Sequence, residues 1–167
     1  MNLTTNPETV TMSTATAFEL IEQQITSRDE RRVRDTIVAL HRAHYVKDAS
    51  AAAALYAEDA TVSNLAPPLE HHGVNVEEKQ AWMDSWETPI EIAPRNLKIT
   101  VSGDFAFAHC FLELKGTKKG PEGKVHFWMR ETMAFERIRG LWRIVLEHTS
   151  VPFYMDGTFR PAFDLQP

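Results

Sequence analysis

The chain is poor in the features that announce most chemistries. It holds a single cysteine, Cys110, so no disulfide can close within it. The surrounding "FAHCFL" marks that thiol as buried and unreactive, which fits a reducing compartment. Glycine is scarce, with seven residues in 167. None of them forms a dinucleotide fingerprint, a phosphate-cradling loop or a nucleophile elbow, which argues against NAD chemistry, NTP hydrolysis and covalent acyl transfer. Positive charge is not in excess: 18 Lys and Arg face 23 Asp and Glu, a net charge of -5. Neither nucleic acid nor an anionic membrane is therefore an expected partner. The one basic run, "RDERRVR" at 28–34, is diluted by its own acids and reads as a solvated helix face. No stretch approaches the roughly 20 apolar residues of a membrane span. The start "MNLTTNPETVTMSTATAF" lacks the basic and apolar regions of a signal peptide. The expectation is a soluble, cytoplasmic protein.

What the chain does have is enough apolar content, 43% with 25% charged, for one domain with a substantial core. Residues 1–13 read as a mobile tail, 14–155 as a single domain and 156–167 as a C-terminal extension. "TAFELIEQQI" at 16–25 has helical spacing. Ser27 followed by Glu30 forms a capping box that starts a longer helix through about Lys47, with Val33, Ile37, Leu40 and His44 on one stripe. A short helix is expected at 50–57, and a strand at 60–69 that ends in a Pro67-Pro68 loop. A further helix is capped by Asn75 and carries Trp82 and Trp86 on one face. From residue 95 the period becomes two, giving four strands, the last pair joined by an Arg139-Gly140 turn. Helices first and an antiparallel meander afterwards argue an α+β fold with the helices on one face of the sheet.

The last strand, "LWRIVLEHTSV" at 141–151, is apolar and then abruptly polar. With a regular two-residue turn, Glu131 faces His148 across the hairpin. Phe127, Met129, Met133, Ile144 and Leu146 then line the same face. A carboxylate and an imidazole held together on an apolar wall suit proton transfer near neutral pH. The plainer reading is a satisfied polar pair at the sheet's end.

The succession "VALHRAHYVKDASAAAALYAEDATVSNLAPPL" followed by "HFWMRETMAFERIRGLWRIVLEHTSVPF" resembles the SnoaL-like and ketosteroid-isomerase-like branch of the nuclear transport factor 2-like superfamily. The resemblance spans roughly residues 30–153. It implies a cone: a strongly curved antiparallel sheet wrapped around N-terminal helices, with a deep apolar pocket and commonly a homodimer. Relatives often carry Asp where this chain has Asn64, and His where it has Leu146. Chemistry of this type is cofactor-free isomerisation, cyclisation or dehydration of an apolar or aromatic metabolite. On that reading His148 is the acid–base group, Glu131 its orienting partner, and Asn64 and Tyr45 hydrogen-bond a developing oxyanion. The alternative is a non-catalytic ligand-binding or dimeric association module, because this fold does not dictate chemistry.

Other candidates are weaker. His41 and His44, three apart on a helix, could join His71 and His72 around zinc or iron, but no recognised ligand spacing is present, so no metal or cofactor is expected. Trp82 is either core or a platform at the pocket rim. His109 lies between two apolar faces and cannot be oriented from the pattern, so it stays a pocket candidate with Met129, Met133 and Leu146.

Overall fold

The computed structural model describes residues 27–121 and 123–167. The expected tail at 1–13 and helix at 16–25 lie outside the described residues. Helix α1, Arg28–Val46, starts at the capping box: the Ser27 hydroxyl accepts from the Glu30 N–H, and the Glu30 carboxylate accepts from the Ser27 N–H. Two otherwise orphaned donors are thereby satisfied. It stops at Lys47, which turns left-handed (φ 60°) and donates from Nζ to the Trp86 carbonyl at 2.6 Å. Val33, Ile37, Leu40, His41 and His44 form its buried stripe, the spacing that lays one helical face on a sheet.

Helix α2, Ala49–Ala53, is capped by the Asp48 carboxylate. It is shorter than expected because Tyr56 is already recruited into a strand. Strand β1 is Tyr56–Ser63, and the two-residue β2 is His71–His72. Helix α3, Val76–Asp84, is capped by Asn75 as its sequence indicated. Four long strands follow: β3 Glu91–Ser102, β4 Phe105–Thr117, β5 Lys124–Ile138 and β6 Leu141–Ser150. They form one curved, open six-stranded sheet in the order β2-β1-β6-β5-β4-β3. Every neighbouring pair is antiparallel except β1 with β6. Pro94 is tolerated in β3 because that strand is an edge.

The inner face of the sheet is held by Leu112, Met133, Phe135 and Ile144, which pack with Val33, Ile37 and Leu40 of α1 in one buried cluster. Strand β4 alternates cleanly. Ala106, Ala108, Cys110 and Leu112 point in, while Phe105, Phe107, His109 and Phe111 are exposed. His109 is therefore on the outside of the sheet, which removes it from the pocket.

The β5–β6 hairpin turns at Arg139 and Gly140, both with positive φ, the geometry of a two-residue turn that matches strand twist. Pairing is regular from Ile138↔Leu141 to Phe135↔Ile144. It then skips Val145 and resumes at Ala134↔Leu146. This bulge inverts the alternation of β6 beyond it. Glu131 consequently pairs with Thr149, and His148 pairs with Thr132 and is exposed. The expected Glu131–His148 pair is corrected: the two side chains stand on opposite faces. Leu146, 36% exposed, also faces outward. Glu147, placed on the outer face by the regular register, is turned inward instead.

Candidate active site

Between α1, α3 and the concave sheet lies a cavity of about 500 Å³, within the range of small-molecule sites. Its apolar wall includes Leu40, Val62, Ile92, Leu112, Phe127 and Met129. Asn64 and Trp82 are also part of the lining. Met133 lies fully buried in the core and does not reach the lining. Tyr45 is corrected too: it is 51% exposed on α1 and is not among the lining residues, because its neighbours His41 and His44 occupy the inward stripe.

The most enclosed polar groups in the cavity are Glu131 and His41, 2% and 4% exposed. Their Oε2 and Nε2 atoms are 4.0 Å apart, too far for a hydrogen bond. Burial is the main force on both. It raises the Glu131 carboxyl well above its usual range, reinforced by the charge of Glu147, and pulls the His41 imidazole down to about 4. Burial thus favours the neutral carboxyl and the uncharged ring over an ion pair. The thiol of Cys110 approaches Glu131 at 3.5 Å, and burial pushes that thiol far up, so it is no nucleophile. Neither ring nitrogen of His41 has a hydrogen-bond partner. A buried imidazole carries one donor and one acceptor, and leaving both unmet costs free energy unless a ligand or water supplies them.

Further along the wall, His44 donates from Nδ1 to the Leu40 carbonyl at 2.9 Å and sets its ring edge-on to Trp82. Burial, then the charge of Lys79, lowers its pKa to about 3. Tyr56 hydrogen-bonds to Glu147. Burial and then that carboxylate's charge raise the phenol well above its ordinary value. Lys79 on α3 also lines the cavity. At one side Lys118 lies over Trp86, 5.0 Å from the ring centroid, and donates to Ser85.

Of the residues marked in the sequence, the structure brings Glu131, Asn64, Trp82 and Met129 to one cavity and excludes His148, Tyr45, Leu146, Met133 and His109. His41, Glu147, Lys79 and Thr149 line the cavity and were not marked as pocket residues, nor was Tyr56, the buried partner of Glu147. His41 alone had a signal, since it sits beside Leu40 and three residues before His44 on the apolar stripe. Among the described residues no three His, Cys, Asp or Glu side chains converge as metal ligands, and no helix is long and apolar enough to cross a membrane.

The sequence pattern of the SnoaL-like domain matches residues 33–154, most of the chain and all of the cavity's lining. The chain belongs to the SnoaL-like domain family. No curated protein matches it. Among solved structures it is similar to an NTF2-like protein of unknown function from Pseudomonas putida, at 26% identity and a TM-score of 0.74, over 86% of this chain and 99% of that one. It is also similar to a candidate dehydratase of the NTF2-like family from Streptomyces avermitilis, with 17% identity and a TM-score of 0.64, over 73% of this chain and 95% of that one. A candidate ketosteroid isomerase from Shewanella frigidimarina gives 16% identity and a TM-score of 0.58, over 70% and 92%. The last two likenesses concern the fold of this SnoaL-like protein.

Proposed function

We propose that this SnoaL-like protein binds an apolar or aromatic small molecule and performs cofactor-free proton transfer on it, as an isomerase, cyclase or dehydratase. The observation that carries the reading is His41: a fully enclosed imidazole on a cavity wall with both nitrogens unpartnered, next to a carboxyl whose protonated form burial favours. Two titratable groups pushed in opposite directions supply an acid and a base at the same pH. The lone pair on one His41 nitrogen takes a proton from carbon beside a carbonyl or hydroxyl-bearing centre. The Glu131 carboxyl donates to the oxygen on which charge develops. Returning the proton to a different carbon isomerises the ligand, and protonating a hydroxyl leaving group dehydrates it. His148, on the outer face, has no part in these steps. The similarity to candidate dehydratases and a candidate ketosteroid isomerase supports this class, as does the apolar wall around the pair. The same family resemblance supports a homodimer, and the lone buried thiol a cytoplasmic setting.

The test needs no natural substrate. An enolisable bicyclic ketone, 2-tetralone, is incubated with the protein in deuterated buffer, and α-proton exchange is followed by NMR. Wild type should accelerate exchange. His41→Gln should reduce that acceleration by on the order of 10²–10⁴-fold, and His148→Gln should leave it unchanged. Binding of the ketone without accelerated exchange in wild type would favour the binding-module reading instead.

A further inference from the structure

A second group of reactive side chains, Lys79 and Glu147 on the cavity wall and the buried Tyr56 behind them, lies apart from His41 and Glu131. Lys79 extends from α3 so that its Nζ stands 5.9 Å from the centroid of the Tyr56 ring. The Tyr56 hydroxyl donates to Glu147, and Glu147 and Lys79 both line the cavity. Nearby lysines are tethered: Lys47 Nζ donates to the Trp86 carbonyl and Lys118 Nζ to Ser85. Among the described residues Lys79 Nζ makes no hydrogen bond and no ion pair within 4 Å. Half-buried, its ammonium faces the Tyr56 ring and the charge of Glu147 rather than a hydrogen-bonding oxygen. Burial accordingly lowers its pKa, opposed by the charge of Glu147. A desolvated lysine in an apolar pocket is the usual way of exposing the neutral amine, which is the nucleophile toward carbonyl carbon.

From this arrangement we propose that Lys79 captures an aldehyde or ketone in the cavity as a covalent imine, with Glu147 and Tyr56 handling the protons. The Nζ lone pair adds to the carbonyl carbon, forming C–N while the C=O π pair moves to oxygen. The Tyr56–Glu147 pair carries one proton from the now cationic nitrogen to that oxygen, giving a carbinolamine and restoring the nitrogen lone pair. The lone pair then forms C=N as the hydroxyl leaves as water, and the second nitrogen proton, carried by the same pair, is the one that the departing hydroxyl takes. Amine and carbonyl become imine and water. Nothing is oxidised or reduced, and no further reactant is required. The inference goes beyond the proton-transfer reading and does not depend on it, since capture requires only Lys79, its relay and the cavity.

The experiment treats the full chain with cinnamaldehyde and sodium cyanoborohydride at neutral pH. Label is located by intact mass and peptide mapping. The expected result is one adduct per chain, on Lys79, exceeding the label on exposed Lys98 and Lys119 by on the order of tenfold, because a lowered pKa enriches the neutral amine. Lys79→Arg should lose that adduct, and Glu147→Gln should slow its formation without moving it. His41→Gln should label like wild type even where it loses ketone exchange, which separates the two readings. Label distributed over wild-type lysines according to exposure, with no preference for Lys79, would overturn the proposal. Because that outcome is read on wild type, no variant's folding can obscure it.

Discussion

His41 also governs how the fold responds to acid. In an unfolded chain its imidazole takes a proton near the ordinary histidine pKa of about 6.5, whereas the folded protein resists protonation until about 4. Between those values the unfolded state binds more protons, so stability is complete above the upper value and is lost as pH falls to the lower one. A gap of that size is worth at most roughly 3 kcal/mol, and His44, lowered to about 3, acts in the same direction. Glu131 has the opposite sign. Its raised pKa means the protonated carboxyl supports the fold at low pH, and that support declines as pH rises through the elevated value. Urea unfolding of wild type and His41→Phe between pH 7 and 4 should show a flatter acid limb in the variant, the slope that remains being the sum of His44, of carboxyls held low such as Glu113, and of the opposing Glu131. Equal slopes would mean that the His41 ring is solvated.

At the level of elements, the approach of β4 to the segment after α3 sets the width of the cavity. Gly116 is the contact point: a Cβ there would lie 2.8 Å from the Trp86 ring and 3.2 Å from the Pro89 carbonyl. Trp86 cannot retreat easily, being buried and edge-on to Trp82 at 5.8 Å. Gly116→Ala should therefore cost about 1–3 kcal/mol of stability by overpacking. It should also shift tryptophan fluorescence, because both rings line the cavity. A change under a few tenths of a kcal/mol in denaturant unfolding would show that the strands part freely. These elements were largely legible beforehand. The capping box at Ser27, the Asn75 cap and the Arg139-Gly140 turn are local devices that sequence spacing reveals. Glu131 could be placed because β5 alternates without interruption. The partners of Glu131 could not be, because an extra residue at Val145 leaves no mark in a run of Ile, Val and Leu. One skipped residue exchanged the faces of Glu147 and His148, and with them the chemistry assigned to the hairpin. Tyr56 was likewise hidden, since an alanine-rich run reads as helix until tertiary pairing with β6 claims its end.

For the molecule as a whole, the outward side of the sheet is the feature that the helices leave uncovered. Phe105, Phe107 and Phe111 of β4 are 60%, 46% and 37% exposed, and Leu146 joins them across the strands through the Phe107↔Ala134↔Leu146 row. The Val145 bulge that turned Glu147 into the cavity turned Leu146 out to this surface, so one irregularity shapes both sides of the sheet. Aromatic side chains clustered on a rigid strand surface are typical of contact regions. They agree with the homodimer proposed from the family resemblance. Light scattering after gel filtration should give twice the chain mass for wild type. Phe107→Glu, which would bury a charge at the centre of such a contact, should give the mass of one chain with the ketone exchange assay still able to report an intact cavity. Phe159→Glu makes the matched control: it places the same charge on a 62% exposed phenylalanine of the C-terminal segment, outside the strands that carry the patch, and should leave the dimer intact. A wild-type protein that runs as a single chain at assay concentrations would remove the dimer and leave the cavity chemistry untouched, because every group invoked in that chemistry comes from one copy.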